Sequence, residues 1–231
     1  MTQQGIERYL DHAVLKPQTT RDEALEQMRI GIDYNVRTIC VRPADIPLAA
    51  DLCRGTATDL SCVLAFPHGT ALSASKADEA KRYVELGVAE IDMVVNYGLA
   101  RGGLWDAFEA DIRAVTEVAK PAGVKVKTIL ETSELTLAEI SRATLAAIAA
   151  EADFVKTSTG FASGGATREA VRAMLDAAGD RIAVKASGGI RDLATARDFI
   201  AMGVQRLGVG STTTPILCGS EPAAGAGAAA Y

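Results

Sequence analysis

Three lysines of the 231-residue chain recur at equal spacing inside apolar segments. Lys127, Lys156 and Lys185 follow one another at intervals of 29 residues, and the last two lie in the similar runs DFVKTSTG and IAVKASGG. A strand lysine is usually on a solvated face, as Lys125 is expected to be, because an ammonium group is costly to bury without a partner. Partial burial and like-charged neighbours lower the pKa of a lysine, which leaves a free amine able to attack a carbonyl. The three lysines therefore predict catalysis through a Schiff base.

A Schiff-base mechanism also requires a group that carries protons. The protonated imine nitrogen withdraws electrons from the adjacent carbon–carbon bond, so that this bond can form or break while protons are exchanged. Asp92, in the apolar run EIDMVVN, is the predicted acid–base residue, because a carboxylate inside such a strand has few other uses. The alternative is that Asp92 only forms a buried salt bridge with Lys127 or Lys185.

The segments that carry these residues have the pattern of an α/β protein. Short β-branched runs alternate with Ala-rich segments of helical periodicity, and most of the runs are apolar throughout, as in parallel strands covered by helices. Eight candidate strands cover residues 11–15, 36–41, 60–66, 88–95, 125–131, 152–157, 181–186 and 204–209. Eight strand–helix units favour a single (β/α)8 TIM barrel with parallel strands over a doubly wound sheet, for which the GxGxxG motif is missing. Helix starts are predicted at a capping box of Thr20 and Glu23 and at the N-caps Ser73 and Thr167.

Such a barrel brings the candidate residues together. Inward-facing residues near the carboxyl ends of its strands line the mouth of the active site, so the three lysines are expected to converge there at similar depths. The barrel is predicted over residues 1–218, including a short N-terminal segment. Residues 219–231 are predicted to form a flexible C-terminal tail, because they are small, low in complexity and end on one tyrosine.

Small residues follow the strands that carry Lys156 and Lys185, and also the last candidate strand. These runs are Thr159-Gly160, Gly188-Gly189 and GVGS, the last from Gly208 to Ser211 with Gly210 inside it. Backbone N–H groups at glycines approach an anion closely, and TIM barrels often hold a phosphate beside their last strands. Each run alone is also typical of an ordinary turn. Together they predict a phosphate site and hence an amine-dependent lyase that acts on a small phosphorylated carbonyl compound.

Composition excludes several other classes of function. The net charge of −5 and the dispersed Lys and Arg residues argue against a nucleic-acid partner. No apolar run approaches the roughly 20 residues that span a bilayer, and the N-terminal segment lacks the pattern of a signal peptide, so a cytoplasmic protein is expected. The four cysteines form no CxxC pair and there are only two histidines, which predicts that the protein builds no metal site.

Several blocks spread along nearly the whole chain form a recognisable set. They are DHAVLKP (11–17), VRTICVRP (36–43), EIDMVVNYG (90–98), KTILETSEL (127–135), FVKTSTGF (154–161), VKASGGI (184–190) and the terminal Tyr231. Through these blocks the chain resembles the deoxyribose-phosphate aldolase family. The resemblance implies a metal-independent class I aldolase on a (β/α)8 barrel that needs no cofactor. It implies the reversible cleavage of 2-deoxy-D-ribose 5-phosphate to D-glyceraldehyde 3-phosphate and acetaldehyde, a step of deoxyribonucleoside catabolism.

The same resemblance implies roles for the catalytic residues. Lys156 would form the Schiff base, and Lys185 would lower the pKa of Lys156 and exchange protons. Asp92 would be the proton donor and acceptor, working through a water molecule. Lys127 would orient Asp92 and balance its charge, and Tyr231 is linked to proton transfer.

Further positions correspond to substrate-binding residues of that family. Asp11 would contact the sugar-derived hydroxyl groups and Cys40 would lie in the substrate pocket, although a buried cysteine needs no such role. Phosphate-binding positions fall on Gly160, Gly188 and Gly189. Two departures are evident: Ala13 stands where a substrate-binding hydroxyl residue is usual, and Gly210 stands where a phosphate-binding serine is common, with Ser211 directly after it.

Two rival functions remain open at this point. Another Schiff-base aldolase or transaldolase of the same barrel class would use dihydroxyacetone or pyruvate as donor, whereas the expected enzyme uses acetaldehyde. A barrel that only senses phosphosugars would gain nothing from the combination of Lys156, Lys185 and Asp92. The expected partners are small phosphosugar and aldehyde substrates, and a homodimer is left open.

Overall fold

A computed structural model describes residues 5–219 and contains eight short strands that pair in parallel. The strands are β1 (Leu10–Val14), β2 (Thr38–Val41), β3 (Asp59–Leu64), β4 (Glu90–Val94), β5 (Lys125–Ile129), β6 (Phe154–Lys156), β7 (Ala183–Ser187) and β8 (Arg206–Gly210). Each strand pairs with the next one along the chain, and β8 pairs with β1, so that the sheet closes into a barrel. This confirms the predicted (β/α)8 TIM barrel. Residues 220–231 of the predicted tail, with Tyr231, lie outside the described residues.

Among residues 5–219, at least one α-helix follows each strand. The helices are α1 (Arg21–Asp33), α2 (Ile46–Cys53), α3 (Ser73–Glu85), α4 (Tyr97–Arg101), α5 (Trp105–Ala119), α6 (Leu137–Ala149), α7 (Arg168–Ala178), α8 (Leu193–Met202) and α9 (Thr213–Leu217). Short 3-10 helices occur at Ile6–Tyr9, Pro43–Asp45, Lys120–Ala122 and Thr132–Glu134. None of the helices in this part of the chain combines the length and the apolar character needed to cross a membrane.

Side-chain caps begin several of the helices. The Thr20 side chain accepts a hydrogen bond from Glu23 N, and the Glu23 carboxylate accepts one from Thr20 N at 2.7 Å, which is the predicted capping box. Thr167 caps α7, also as predicted. The prediction for Ser73 is wrong, because Ser73 is the first residue of α3 and its hydroxyl donates to Asp111 of α5 at 2.8 Å. Ser73 therefore connects two neighbouring helices.

Most of the apolar core lies between the outer face of the barrel and the helices. Strand residues such as Ile39, Ile91 and Val126 alternate with inward-facing residues and are fully buried in this layer. Each such side chain contributes roughly 1.5–3 kcal/mol by burial. Lys125 lies at the exposed start of β5, as expected for a solvated lysine. The outer layer thus stabilises the fold and allows the interior of the barrel to be polar.

The interior of the barrel has an apolar part and an ionic part. The apolar part is a small separate cluster contributed by β1, β2, β3 and the residues next to them: Ala13, Leu15, Cys40 and Val63, with Phe66 packed against it. The ionic part is a set of buried acidic and basic residues: Asp11, Glu90, Asp92, Lys127, Lys156, Lys185 and Arg206. Buried charges of this kind require partners, and the geometry of those partners defines the site.

Candidate active site

The three predicted lysines meet inside the barrel. Lys127 lies in β5, Lys156 ends β6 and Lys185 lies in β7, and each residue is at most 2% exposed. Lys156 and Lys185 pair directly in the β6–β7 register, which confirms that they are neighbours. Lys127 pairs with Phe154, two residues before Lys156, so the prediction of similar depth is wrong for Lys127. Equal spacing in the sequence does not become equal register, because the connection from β5 to β6 differs in length from the connection from β6 to β7.

Asp92 of β4 lies among the ammonium groups of all three lysines. Its Oδ1 atom is 2.5 Å from Lys127 Nζ, and its Oδ2 atom is 2.8 Å from Lys156 Nζ and 2.7 Å from Lys185 Nζ. Burial alone would raise the pKa of Asp92, but the three lysines hold the pKa well below its usual value. Asp92 is therefore ionised. Asp92 forms salt bridges with Lys127 and Lys185, as in the purely structural alternative. It also contacts Lys156, as acid–base chemistry requires.

Asp11 of β1 is the second carboxylate of this cluster. Its Oδ2 atom contacts Lys185 Nζ and lies 3.3 Å from Lys127 Nζ. Its Oδ1 atom is buried and has no hydrogen-bond partner among the described residues. A buried carboxylate oxygen without a partner is unfavourable, so Oδ1 is suited to accept a hydrogen bond from a ligand hydroxyl. This is the kind of contact expected for Asp11.

A buried ion pair beside Lys127 was missed in the sequence analysis. Arg206 of β8 donates to both carboxylate oxygens of Glu90, at 2.8 and 3.0 Å, and its guanidinium carbon lies 5.2 Å from the centroid of the Phe154 ring. Glu90 Oε2 also lies 2.7 Å from Lys127 Nζ. A signal was present, because Glu90 precedes Asp92 by two residues in one strand and must face the same side. The pair links β4 to β8 and holds Lys127.

Neighbouring charges distinguish Lys156 from Lys185. Burial disfavours the charge on Lys156, but Asp92 and Asp11 outweigh burial and raise the pKa of Lys156 above its usual value. For Lys185, burial and the charges of Lys156 and Lys127 outweigh the two carboxylates, so the pKa of Lys185 lies below its usual value. The expectation that Lys156 has the lowered pKa is therefore wrong for this arrangement, because the like charges of two other lysines act on Lys185 in addition to its burial. Lys185 is the lysine that loses its proton more readily.

This arrangement can carry out acid–base and nucleophilic chemistry. Asp92 Oδ2 is within hydrogen-bonding distance of both amines, so a proton can pass from Lys156 through Asp92 to Lys185 without entering solvent. The transfer leaves an unprotonated amine on Lys156, the form of lysine that attacks a carbonyl carbon. The cluster is therefore suited to reactions that proceed through an imine.

Cys40 lies in the apolar part of the site. It is buried in the cluster with Ala13 and Val63. Burial, together with the charges of Asp92 and Asp11, raises the pKa of its thiol to about 12, so the thiol stays protonated at neutral pH. Cys40 lies near the carboxylates, as expected for a pocket residue, and a protonated buried thiol packs as a small apolar group.

Three glycines of the predicted phosphate site lie in the connections that follow β6 and β7. Gly160, Gly188 and Gly189 have φ angles of 85°, 86° and 80°, a left-handed conformation that other residues adopt at a cost. Glycine is therefore favoured at these turns for conformational reasons. Thr159, the other predicted residue of the first turn, directs its backbone N–H and its hydroxyl to the carboxylate of Glu131. Both polar hydrogens of Thr159 are thus already engaged.

The last of the three predicted phosphate-binding runs, residues 208–211, lies mostly in β8 and not in a loop. Gly208 and Gly210 belong to β8, and a side chain at Gly208 would lie 3.2 Å from Lys185 Cε. Gly208 therefore makes space for Lys185, which the sequence pattern alone could not reveal. Gly210 ends the strand, and Ser211 is buried with its hydroxyl donating to Gln27 Oε1 at 2.9 Å. Ser211 is held by α1 in this arrangement.

Comparison with known proteins gives a consistent set of similarities. A family model described as DeoC/LacD family aldolase matches residues 4–208. The chain is 45% identical to deoxyribose-phosphate aldolase 1 of Cutibacterium acnes (strain DSM 16379 / KPA171202) over 204 residues, which cover 88% of this chain and 93% of that protein. It is 42% identical to the deoxyribose-phosphate aldolase of Geobacillus sp. (strain WCH70) over 207 residues, which cover 90% and 92% of the two chains.

A solved structure shares the fold as well as sequence. The tetrameric deoxyribose phosphate aldolase from Aeropyrum pernix superimposes with a TM-score of 0.84 at 28% identity. The match covers 92% of this chain and 89% of that one. The similarity in fold therefore extends over most of this chain.

Proposed function

The chain belongs to the DeoC/LacD family of aldolases, and we propose that it is a deoxyribose-phosphate aldolase. Its reaction is the reversible cleavage of 2-deoxy-D-ribose 5-phosphate to D-glyceraldehyde 3-phosphate and acetaldehyde, in deoxyribonucleoside catabolism. The relatives from Cutibacterium acnes and Geobacillus support this choice of substrate. The observation that carries the chemistry is the contact of one carboxylate oxygen, Asp92 Oδ2, with both Lys156 and Lys185.

The first step makes Lys156 nucleophilic. Asp92 takes a proton from the Lys156 ammonium group and passes it to Lys185 when the Lys185 amine is unprotonated, a form that burial of Lys185 favours. The Lys156 amine attacks C1 of the open-chain sugar, and a C–N bond forms. Lys185 returns a proton to the C1 hydroxyl, which leaves as water, and a protonated Schiff base results.

Carbon–carbon cleavage follows from the Schiff base. The C3 hydroxyl of the sugar gives its proton through a water molecule to Asp92, and the electron pair of the C2–C3 bond moves toward the iminium nitrogen. D-Glyceraldehyde 3-phosphate then leaves as an aldehyde. Asp11 Oδ1, which has no partner among the described residues, is suited to accept a hydrogen bond from a sugar hydroxyl. The remaining enamine takes a proton at C2 through Asp92 and its water, and hydrolysis releases acetaldehyde and Lys156.

The proposed mechanism is independent of metals and of organic cofactors, because the iminium nitrogen is the electron sink. Asp11, Cys40 and Asp92 each place one potential ligand atom within 4.8 Å of the others. The lysines already neutralise both carboxylates, however, and the Cys40 thiol is protonated. The charges in the cluster therefore favour ammonium groups over a divalent cation.

The phosphate of the substrate is proposed to bind where β6, β7 and β8 end. The turns at Gly160, Gly188 and Gly189 allow close approach of an anion. Gly210 and Ser211 lie at the end of β8. The overall charge of −5 does not attract an anion, so the binding must depend on these local groups.

The proposal extends to the cellular location, the domain bounds and the assembly of the enzyme. All four cysteines fall within the described residues and are free thiols, which agrees with the reducing cytoplasm. Residues 1–218 are assigned to the barrel domain and residues 219–231 to a tail. The Aeropyrum pernix relative is a tetramer, whereas a homodimer is the assembly considered for this chain. Light scattering on the purified protein decides between these assemblies.

Borohydride trapping tests the proposed function. The protein is incubated with acetaldehyde and sodium borohydride, and peptides are mapped by mass spectrometry. We expect a two-carbon adduct on Lys156 and no adduct in Lys156→Ala, which should also lose cleavage activity. An adduct on Lys185 instead would reverse the roles of the two lysines. Trapping with dihydroxyacetone or pyruvate but not with acetaldehyde would identify a different aldolase.

A further inference from the structure

Glu131 is a buried carboxylate near the active site that has no part in the mechanism above. It follows β5 by two residues, is 2% exposed and has φ 54° and ψ 66°, a left-handed conformation that is unfavourable for glutamate. Backbone hydrogen bonds hold the residues on both sides of it, since Leu130 N donates to Lys156 O and Thr132 N donates to Thr157 O, each at 2.9 Å. The backbone of Glu131 is thus fixed to the end of the strand that carries Lys156.

The Glu131 side chain binds the turn that follows this strand. The Thr159 hydroxyl donates to Glu131 Oε2 at 2.5 Å, and Thr159 N donates to the same oxygen at 3.3 Å. The Thr159 hydroxyl also accepts a hydrogen bond from Phe161 N at 3.0 Å. Gly160, with its left-handed backbone, lies between these two anchored residues. One carboxylate therefore determines the conformation of the whole turn.

We propose that Glu131 is a positioning residue that holds residues 159–161 in the conformation that presents the Gly160 amide to the substrate phosphate. The proposal rests on the proposed function and deepens it. Because Thr159 directs both of its polar hydrogens to Glu131, the Gly160 N–H is the donor of this turn that remains for an anion. Thr159 then acts through the shape of the turn instead of touching the phosphate.

A carboxylate so close to a phosphate site must not repel the ligand. Burial raises the pKa of Glu131, against the hydrogen bonds from Thr159 and the charge of Lys156. Lys156 and the two Thr159 donors also compensate the negative charge where it persists. Glu131 can therefore organise an anion-binding turn without opposing the anion.

Two substitutions separate positioning from folding. Glu131→Gly removes the carboxylate and keeps the left-handed backbone, which glycine favours. Thr159→Val removes the hydroxyl and leaves Glu131 in place, and Thr159→Ser restores a hydroxyl. Glu134→Gln, on the same short helical turn, is the matched control because Glu134 does not contact residues 159–161 in any described hydrogen bond.

The measurements compare phosphorylated with unphosphorylated ligands. We expect Glu131→Gly and Thr159→Val to raise KM for 2-deoxyribose 5-phosphate roughly tenfold, as for the loss of one hydrogen bond to a charged group, and to weaken the binding of inorganic phosphate by the same factor in calorimetry. kcat/KM for unphosphorylated 2-deoxyribose and borohydride trapping of acetaldehyde should stay within about twofold of the parent. Thr159→Ser and Glu134→Gln should resemble the parent protein.

Two outcomes would overturn the proposal. Equal losses for phosphorylated and unphosphorylated sugars would assign Glu131 a general structural role, and unchanged values for both would leave it without any role. Failure of the proposed function looks different, because the parent protein itself would then neither trap acetaldehyde nor cleave the sugar. Calorimetry with inorganic phosphate still tests Glu131 in that case, since it requires no turnover.

Discussion

Lys156 and Lys185, which pair across β6 and β7, both donate to Asp92 Oδ2, at 2.8 and 2.7 Å. Two amines that share one oxygen can exchange a proton over a very short path. Since Asp92 raises the pKa of Lys156 against the effect of burial, and burial lowers the pKa of Lys185, the exchange is needed before Lys156 can act as a nucleophile.

Replacement of Lys185 should move the activity profile toward alkaline pH. Lys185→Leu removes a positive charge next to Lys156 and so raises the pKa of Lys156 further, and it removes the proton acceptor. We expect kcat/KM at neutral pH to fall roughly 10²-fold, the usual scale for a lost proton-transfer group. pH–rate profiles of the parent and the variant measure the shift.

Lys185→Arg is the control for that experiment. Arginine keeps the positive charge but cannot give up its proton at accessible pH. The profile should therefore stay in place while the rate remains low. A fully active Arg variant would show that the charge of Lys185 matters and its proton does not.

Asp92→Asn should separate imine formation from turnover. The amide retains the size of the side chain but cannot shuttle a proton between the lysines, so turnover should fall roughly 10²-fold or more. Loss of the carboxylate also removes the group that raises the pKa of Lys156, so trapping of acetaldehyde at Lys156 should survive. Near-normal turnover would leave Asp92 a structural partner of the lysines.

Gly208→Ala should displace the Lys185 side chain, because the added methyl group would crowd it. A Cβ atom at position 208 would lie 2.6 Å from Ser187 Cβ and 3.2 Å from Lys185 Cε, so that side chains must shift. Overpacking of this kind costs roughly 1–3 kcal/mol of unfolding free energy and should displace Lys185 from Asp92. Urea unfolding and kcat measure the two effects. Parent values for both would show that the strands can adjust at no cost.

Acid should weaken the fold through His12, which is fully buried in β1. Its Nε2 donates to Gln27 O and its Nδ1 accepts from Thr214 Oγ1, both at 2.8 Å. Burial lowers the pKa of His12 from 6.5 to about 4, although the nearby charge of Asp11 opposes the shift. The unfolded chain therefore binds a proton before the folded protein does, and stability falls as the pH drops from 6.5 to 4, by about 3 kcal/mol at most.

His12→Asn tests this assignment. Urea unfolding at pH 7 and pH 4.5 gives the pH dependence of the unfolding free energy for parent and variant. The parent should lose more stability on acidification than the variant does, whatever their difference at pH 7. Identical losses would assign the acid sensitivity to other groups.

Removal of Tyr231 tests the part of the proposal that lies outside the described residues. If the terminal phenol relays the proton that the enamine carbon takes up, deletion should lower turnover and slow deuterium exchange into acetaldehyde. Thermal stability and trapping at Lys156 should stay nearly unchanged. Parent rates of exchange and turnover would show that the family resemblance stops at the barrel.

The order and type of the elements could be predicted from the sequence because they depend on local patterns. Apolar runs such as that around Asp92 indicate covered parallel strands, and the eight-fold alternation indicates a closed barrel. The Thr20 capping box is equally local and is confirmed. The ends of the strands were less predictable. The predicted strand 181–186 is Ala183–Ser187 in the structure, because the backbone hydrogen bonds to neighbouring strands, and not the side-chain pattern, decide where pairing stops.

Contacts across the barrel could not be predicted in the same way. The pairing of Glu90 with Arg206 joins β4 to β8 and depends on closure of the whole sheet. The position of Lys127 relative to Lys156 depends on register, which loop lengths alter without changing the sequence pattern inside the strands. The distribution of protons among the lysines depends on distances to Asp92, which only the folded arrangement supplies.

The ionic part of the barrel interior contains more basic than acidic side chains. Four basic side chains are buried with three carboxylates: Lys127, Lys156, Lys185 and Arg206 with Asp11, Glu90 and Asp92. Electroneutrality in a region of low dielectric constant is reached when one of the four bases is uncharged, and arginine does not lose its proton. The interior thus disfavours the fourth positive charge, and Asp92 lets a proton pass between Lys156 and Lys185.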